Sequence, residues 1–335
     1  MTAANTIAAV LLSACLTLQA ADASCGTASC PLDLNSLAQD FGETPGGLRL
    51  QLSYEAIDQD QPRQGSRDVA FQQIRRPDHD EIETVNRNWS LRATWSAGRR
   101  WDLGVTLPFV HRRHSHVAVA GHAHDEEEES PPTHVGINRW DFTQLADIVI
   151  RADFRPLDGS ELRLGVGLRL PNGATDIRSA EGVLAEPALQ PGTGAPGVVI
   201  DAGYGGSATG ARREVRWFAS SSCRWNAAGK GDYRIGAQWL THAGLHVPLH
   251  ARVEWLTQIV GRWRGGDEAG RTTELVDATG GSALFLSPGV RVKLTDGIWL
   301  SGYWQVPVYE DVNRVQLTAD QNLLLVVAWE LRLGS

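Results

Sequence analysis

The stretch 48-LRLQLSYEA-56 alternates apolar residues with polar or charged ones. In an extended chain, successive side chains point to opposite faces, so one face carries apolar groups and the other carries the charges. The segments 101-WDLGVTLPF-109 and 161-ELRLGVGLRL-170 repeat the alternation. A period of two indicates β-strands that separate an apolar environment from a wet one, and this pattern decides the fold.

Twelve segments follow the pattern, and the connections between them alternate in length. The predicted strands lie near residues 47–58, 84–96, 100–112, 140–155, 160–170, 196–205, 213–226, 231–243, 247–260, 283–294, 297–308 and 321–333. Long connections follow strands one, three, five, nine and eleven, and short turns such as 97–99, 157–159 and 295–297 follow even-numbered strands. The sequence therefore predicts an all-β fold, a transmembrane antiparallel up-and-down β-barrel of about 12 strands.

The distribution of tryptophan also favours a membrane-spanning barrel. A sheet inside a bilayer must pair its backbone N–H and C=O groups internally, and closure into a barrel achieves this. The tryptophans on the apolar phase are Trp89, Trp95, Trp101, Trp217, Trp225, Trp239, Trp255, Trp304 and Trp329. Many of them lie near strand ends, where an amphipathic ring suits the membrane–water interface.

Charged residues on the opposite phase argue against the main alternative fold, a soluble β-sandwich or an adhesive domain. A dry core would bury these charges at a cost of several kcal/mol each without pairing, whereas in a barrel lumen they pair or contact water. The residues predicted to line the lumen are Arg49, Arg92, Asp147, Arg151, Asp153, Arg163, Arg169, Arg216, Arg234, His242, His250, Arg252, Glu254 and Arg291. Glu55, Asp201 and Glu330 share this phase.

The N-terminus reads as a secretory signal peptide over residues 1–23. An apolar stretch from Ile7 to Ala20 precedes an A-x-A cleavage pattern at 21–23. A competing interpretation is a lipobox at 12–15, which would make Cys15 a lipidated N-terminus. Residues 24–46 then form a periplasmic segment that is long enough to enter the lumen as a plug, and residues 47–335 form the barrel.

The cysteines indicate one disulfide in an oxidising compartment. Cys25 and Cys30 are close enough in sequence to form it. A metal site is the alternative, but no second cysteine pair accompanies these two. Cys223 then stays free, on the lipid-facing phase beside Trp225.

The composition excludes several classes of function. No apolar run of about 18 residues follows the N-terminus, which excludes a helical membrane protein. The formal net charge of -8 gives no basic footprint, so we expect no nucleic-acid partner. The serines and histidines do not combine with an orienting acid on adjacent strands, so we expect no catalytic residues and no enzyme.

The stretch 111-HRRHSHVAVAGHAHDEEEESPPTH-134 lies between predicted strands three and four and is rich in histidine and glutamate. Two histidine pairs have i, i+2 spacing, which places both imidazoles on one side of an extended chain, and imidazole with carboxylate suits Zn, Cu or Ni. The predicted ligands are His111, His114, His116, His122, His124 and His134, with Asp78, His79, Asp80 and Glu81 of the preceding loop. The alternative is a hydrated loop that binds metal weakly. Apart from Zn or Cu at this loop, we expect no cofactor.

Four segments resemble an outer-membrane barrel family named after the meta-pathway of phenol degradation. They are 101-WDLGVTLPFV-110, 147-DIVIRADFRPLDG-159, 162-LRLGVGLRLPNG-173 and 192-GTGAPGVVIDAGYG-205. The resemblance spans roughly residues 45 to 335 and implies a transporter-like barrel with no catalytic residues to carry over. It also implies an aromatic or hydrophobic small molecule as the permeant.

Three functions remain for a bacterial outer-membrane barrel with this sequence. The first is a channel or transporter that passes a small molecule, with lipid and the permeant as its partners. The second is binding or transport of a transition metal through the His/Glu-rich loop. The third is a surface structural or adhesive role, which requires a barrel that conducts nothing.

Overall fold

The computed structural model describes residues 32, 46–74, 81–119, 135–157, 161–209, 214–272, 274 and 276–332. The strands are β1 Gly47–Gln59, β2 Gln61–Gly65, β3 Arg67–Asp68, β4 Glu81–Ser96, β5 Trp101–Val119, β6 Val135–Leu145, β7 Val149–Phe154, β8 Arg163–Arg169, β9 Gly197–Thr209, β10 Glu214–Asn226, β11 Gln238–His250, β12 Val253–Arg264, β13 Gly281–Thr295, β14 Ile298–Thr318 and β15 Asn322–Arg332. Short 3-10 turns lie at Phe71–Gln73, Pro187–Leu189 and Lys230–Asp232. Within these ranges, no helix has the length and hydropathy needed to cross a membrane.

The strands close into an antiparallel barrel. β1 pairs with both β4 and β15, and β13 pairs with β14, so the sheet has no open end. β6 and β7 both pair with β5 and share one position in the wall, which gives the predicted twelve wall strands. The predicted fold class is confirmed.

Polar side chains face the barrel interior and apolar side chains face outward, as the alternation in the sequence predicts. On β1, Gln51 and Ser53 are buried inside the barrel, and on β4 the rings of Trp89 and Trp95 are exposed on its outer surface. Trp101, Trp217, Trp255 and Trp304 are also exposed on the outer face. The apolar outer surface and the polar interior are the two environments that a period of two requires.

The predicted strand 140–155 is instead two strands, β6 and β7, with opposite phases. Trp140 and Phe142 on β6 are buried inward at even positions, whereas Arg151 and Asp153 on β7 point inward at odd positions. The inward-facing positions change from even to odd residue numbers at residues 146–148, where the ladder with β5 is interrupted. An interruption of this kind redirects side chains, and here it brings Asp147 into the interior.

Predicted strands eight and nine are displaced in the structure. The connection expected at 244–246 lies at 251–252, so His242 and His250 belong to the single strand β11. Gly244 continues this strand because its missing side chain leaves room for Phe218, whose Cζ would lie 2.5 Å from an added Cβ. Residues 231–236, expected in a strand, form the connection between β10 and β11.

The two rims differ as predicted, with one exception. Short turns at 97–100, 251–252 and 296–297 lie on one rim, and longer connections such as 170–196 and 265–280 lie on the other. The connection after the eleventh wall strand is short, because β14 continues to Thr318 and pairs there with β2. The residues expected in a long loop therefore extend the wall above the other strands.

Leu32 is one of two described residues of the predicted plug, the other being Gly46. Its side chain packs against two inward-facing clusters along the neighbouring wall strands from β12 to β1. One contains Ile57, Leu256, Tyr303, Ala319, Leu324 and Val326, and the other contains Val260, Ala283 and Phe285. Leu32 therefore lies in the lumen, and the remaining positions of the predicted plug, 24–31 and 33–45, lie outside the described residues.

Cys223 is buried and disulfide-bonded, so the prediction that it stays free is wrong. Proximity along the chain favours a Cys25–Cys30 pair, but folding also brings distant cysteines together. The chain has four cysteines, and Cys15, Cys25 and Cys30 lie outside the described residues.

Candidate functional site: the lumen and its constriction loop

A connection that folds into the barrel narrows the lumen. Residues 170–196, here called the constriction loop, join β8 to β9. Ala185 and Leu189 of this loop are buried against Trp140 and Phe142 on the inner face of β6. The indole Nε1 of Trp140 donates to the carbonyl oxygen of Val183 at 3.0 Å. We call the buried part of the loop, residues 185–192, its foot.

Asp147 clamps the constriction loop to the wall. Its carboxylate accepts hydrogen bonds from the backbone N–H of Gly173 at 3.0 Å and from the backbone N–H and hydroxyl of Thr193 at 2.9 and 2.6 Å. The Nε of Arg169 lies 3.6 Å from the same carboxylate. Hydrogen bonds to an ionised acceptor stabilise by about 1.5–3 kcal/mol each, so a single buried residue fixes both ends of the loop.

The two ends of the constriction loop meet at a neck formed by residues 173–174 and 192, and this neck depends on two glycines. Gly173 and Gly192 approach so closely that a Cβ on Gly173 would lie 2.6 Å from the Cα of Gly192. The backbone N–H of Gly192 donates to the carbonyl oxygen of Ala174 at 2.9 Å and closes the neck. Larger residues would push the two chain segments apart.

Arg112, on β5 next to β6, also holds the foot. The buried guanidinium donates to the carbonyl oxygen of Leu189 through Nη1 and to Oδ1 of Asn86 through Nε, both at 2.7 Å. Both acceptors are neutral, so these contacts fix the foot without neutralising the charge of Arg112. The foot is therefore held by Arg112 of β5 and its neck by Asp147 of the adjacent wall position.

A cavity of about 350 Å³ lies between the foot and the wall. Its lining comes from β1, β4, β5, β7, β8, β9 and β10 and from the foot itself. The charged residues around it are Arg92, Arg112, Arg151, Arg169 and Arg224, with the carboxylates Glu55 and Asp147. Val110, Pro187, Ala188 and Ile235 add apolar surface. The volume and mixed lining are in the range of small-molecule sites.

Below the cavity, an ion network crosses the wall strands. Arg151 donates to Asp153 through Nε at 2.8 Å and to both oxygens of Asp201 through Nη2 at 3.0 and 2.9 Å. The Nε of Arg163 lies 3.8 Å from Asp153. Gly165 leaves space for the network, because a Cβ there would lie 2.5 Å from Nη2 of Arg151. On the other side of the barrel, Glu254 pairs with Arg216 and Arg291, at 2.9 and 3.6 Å.

A second buried aspartate braces the long-loop rim. Asp267 accepts hydrogen bonds from the hydroxyl of Tyr233, the backbone N–H of Gly236 and Nη2 of Arg264, at 2.6, 2.9 and 2.7 Å. Burial, and then the negative charge of Asp267, raise the pKa of Tyr233 well above its usual value. Tyr233 therefore keeps its proton and its hydrogen bond, which ties residues 227–237 to residues 265–280.

Most residues predicted to line the lumen do so. Arg49, Arg92, Asp147, Arg151, Asp153, Arg163, Arg169, Arg216, His242, Glu254 and Arg291 lie on inward positions of the wall. The prediction is wrong for Arg234, which is exposed in the connection between β10 and β11 and pairs with Glu268. It is also wrong for His250 and Arg252, which are exposed at the β11–β12 turn. All three errors follow from the displaced boundaries of predicted strands eight and nine.

Part of the histidine-rich stretch is wall rather than loop. His111, His114 and His116 belong to β5, which continues to Val119. His114 and His116 lie on one side of the strand, as predicted, and this side faces the lumen. Their ring centroids are 5.8 Å apart, and both rings pack on Trp140. Nδ1 of His114 hydrogen-bonds the hydroxyl of Thr84 at 2.8 Å, and Glu81 faces His116 across the ladder.

The remaining predicted metal ligands, Asp78, His79, Asp80, His122, His124 and His134, lie outside the described residues. Among the residues that are described, no group of three or more His, Cys, Asp or Glu side chains is placed to hold a metal ion. The metal site is therefore a prediction that rests on the sequence.

We expect the barrel to bind Zn(II) or Cu(II) through His122 and His124 and to lose the metal in acid. Only neutral imidazole is a ligand, so binding falls as pH drops below the imidazole pKa of about 6.5. Isothermal titration at about pH 7.5 and about pH 5.5, on the wild type and a His122→Ala, His124→Ala variant, measures this. Equal binding by both proteins would show that these histidines are not ligands.

Arg112 and Arg224 were missed by the sequence analysis, although a signal for each was present. Arg112 continues the inward phase of Asp102, Thr106 and Pro108 on the same strand. Arg224 follows the inward Ser220 and Ser222 on β10. Extending the observed alternation to the end of each strand would have found both.

Solved structures with this architecture are outer-membrane proteins. An outer-membrane channel from Pseudomonas putida is 13% identical with a TM-score of 0.59, and the match covers 86% of this chain and 96% of that chain. A FadL homologue from Pseudomonas aeruginosa is 11% identical (TM-score 0.43, 87% of this chain and 91% of that chain), and the monoaromatic hydrocarbon channel CymD is 8% identical (TM-score 0.40, 93% and 96%). No family model and no curated protein matches the chain. At these identities the likeness shows the barrel fold alone.

Proposed function

We propose that this barrel is an outer-membrane channel that passes a small molecule through a lumen narrowed by the constriction loop. The observation that carries the proposal is the cavity between the foot and the inner wall. A purely structural barrel has no need of an inward loop fixed by Asp147, Arg112 and Trp140. A loop held in this way sets the size of what passes.

The outer membrane is the location that fits the surface of the barrel. Exposed apolar side chains cover the outer face of the wall, and a patch of this extent is stable only against lipid. The signal peptide predicted at residues 1–23 would deliver the chain across the inner membrane. Leu32 packs on the inner wall of the barrel and so occupies part of the lumen.

Single-channel recording in planar bilayers tests this function. We expect discrete conductance steps from the refolded protein, and larger steps when residues 24–46 are removed. The chain without this segment keeps every wall strand, so its folding is checked by the shift in gel mobility on heating. A folded barrel that gives no steps in either form would favour the adhesive alternative.

A further inference from the structure

We propose that the cavity under the constriction loop is a binding site for a small organic carboxylate. The inference deepens the proposed channel function by naming the substrate class. Three observations support it: an excess of arginine around the cavity, two arginines without a described carboxylate partner, and an apolar part of the lining.

The charge around the cavity is unbalanced. Five arginines line it against two carboxylates, and one of the carboxylates, Asp147, is already occupied by three donors of the constriction loop and by Arg169. Arg151 is neutralised by Asp153 and Asp201. The cavity therefore keeps positive charge, and a charged lining of one sign selects ions of the other sign.

Arg112 and Arg224 carry the charge that the described protein does not neutralise. Arg112 is buried, and among the described residues its guanidinium bonds the neutral groups of Asn86 and Leu189. Arg224 is half-buried, and its charged neighbours among the described residues are Arg169 and Arg264, both cationic. Burying like charges together is unfavourable unless an anion joins them.

The shape of the guanidinium and the remaining lining favour a carboxylate with an apolar body. A planar guanidinium donates two parallel hydrogen bonds to a carboxylate. Val110, Pro187, Ala188 and Ile235 offer apolar surface in the same cavity. A hydrated inorganic anion would leave this surface unused.

Benzoate and benzyl alcohol are matched probes, because they share the ring and differ in charge. We expect isothermal titration of the detergent-folded barrel to show binding of benzoate and none of benzyl alcohol. In bilayers with a KCl gradient, the reversal potential should show a preference for anions, and benzoate should reduce the current.

Arg224→Gln removes one unneutralised charge without touching the bonds that hold the foot. We expect it to weaken benzoate binding about tenfold, the effect of one charge-assisted hydrogen bond, and to reduce the preference for anions. Arg234→Gln removes the same charge on the exposed rim and should change neither.

The outcomes separate the site from the channel. A barrel that conducts but binds benzoate no more tightly than benzyl alcohol would overturn the carboxylate site and leave the channel standing. A barrel that binds benzoate with the expected dependence on Arg224 but never conducts would support the site and overturn the channel. Equal binding of inorganic phosphate and benzoate would contradict the organic class.

Discussion

Removing the foot of the constriction loop should raise the single-channel conductance severalfold. Conductance is set by the narrowest part of a pore, and here the foot lies between β5, β6 and the clamp at Asp147. The close approach of Ala174 and Gly192 allows residues 176–190 to be replaced by an Asn-Gly turn without stretching the neck. Planar-bilayer recording at fixed salt compares this variant with the wild type.

The tip of the same loop provides the matched control. Residues 180–184 are exposed and lie beyond the buried foot, so Glu181→Gln should leave the conductance unchanged. Migration on gels before and after heating confirms that both variants fold. A folded variant without the foot that keeps the wild-type conductance would show that the narrowest point lies elsewhere, with the segment around Leu32 as the next candidate.

The sequence predicted the wall well because alternation is a local property. A strand between lipid and water repeats every two residues, so β1, β4 and β15 were placed within a few residues of their ends. Predictions were wrong where the local signal changed phase or continued further than expected. The break at 146–148 and the continuation of β5 through His111, His114 and His116 are both of this kind.

The constriction loop could not be predicted because its contacts join distant segments. Its sequence is rich in glycine and proline, as an ordinary surface connection would be. The loop packs into the lumen because Trp140 and Phe142 face inward and form its contact surface. They can face inward on the same wall position as Arg151 and Asp153 because the strand is interrupted after β6. The clamp at Asp147 also depends on that break, since unbroken alternation from β6 would point this residue outward.

Replacing Arg151 with methionine should destabilise the barrel by about 3–5 kcal/mol, the cost of breaking a buried ion pair from one side. Arg151 bridges Asp153 and Asp201, and all three side chains are about a tenth exposed. Without the guanidinium, Asp153 on β7 and Asp201 on β9 would face each other across Gly165 of the intervening strand β8. Unfolding in denaturant within detergent micelles, followed by tryptophan fluorescence, measures the loss.

Two further variants show whether charge is the cause of that loss. Arg151→Met combined with Asp153→Asn and Asp201→Asn removes the bridging cation together with both carboxylates and should recover most of the stability, because replacing the partners of a buried ion pair together is far less costly than removing one of them. Arg234→Met breaks the exposed pair with Glu268 and should cost at most about 1 kcal/mol. If the triple variant is as unstable as Arg151→Met alone, the loss comes from packing of the arginine side chain, and the network does not stabilise the wall through its charges.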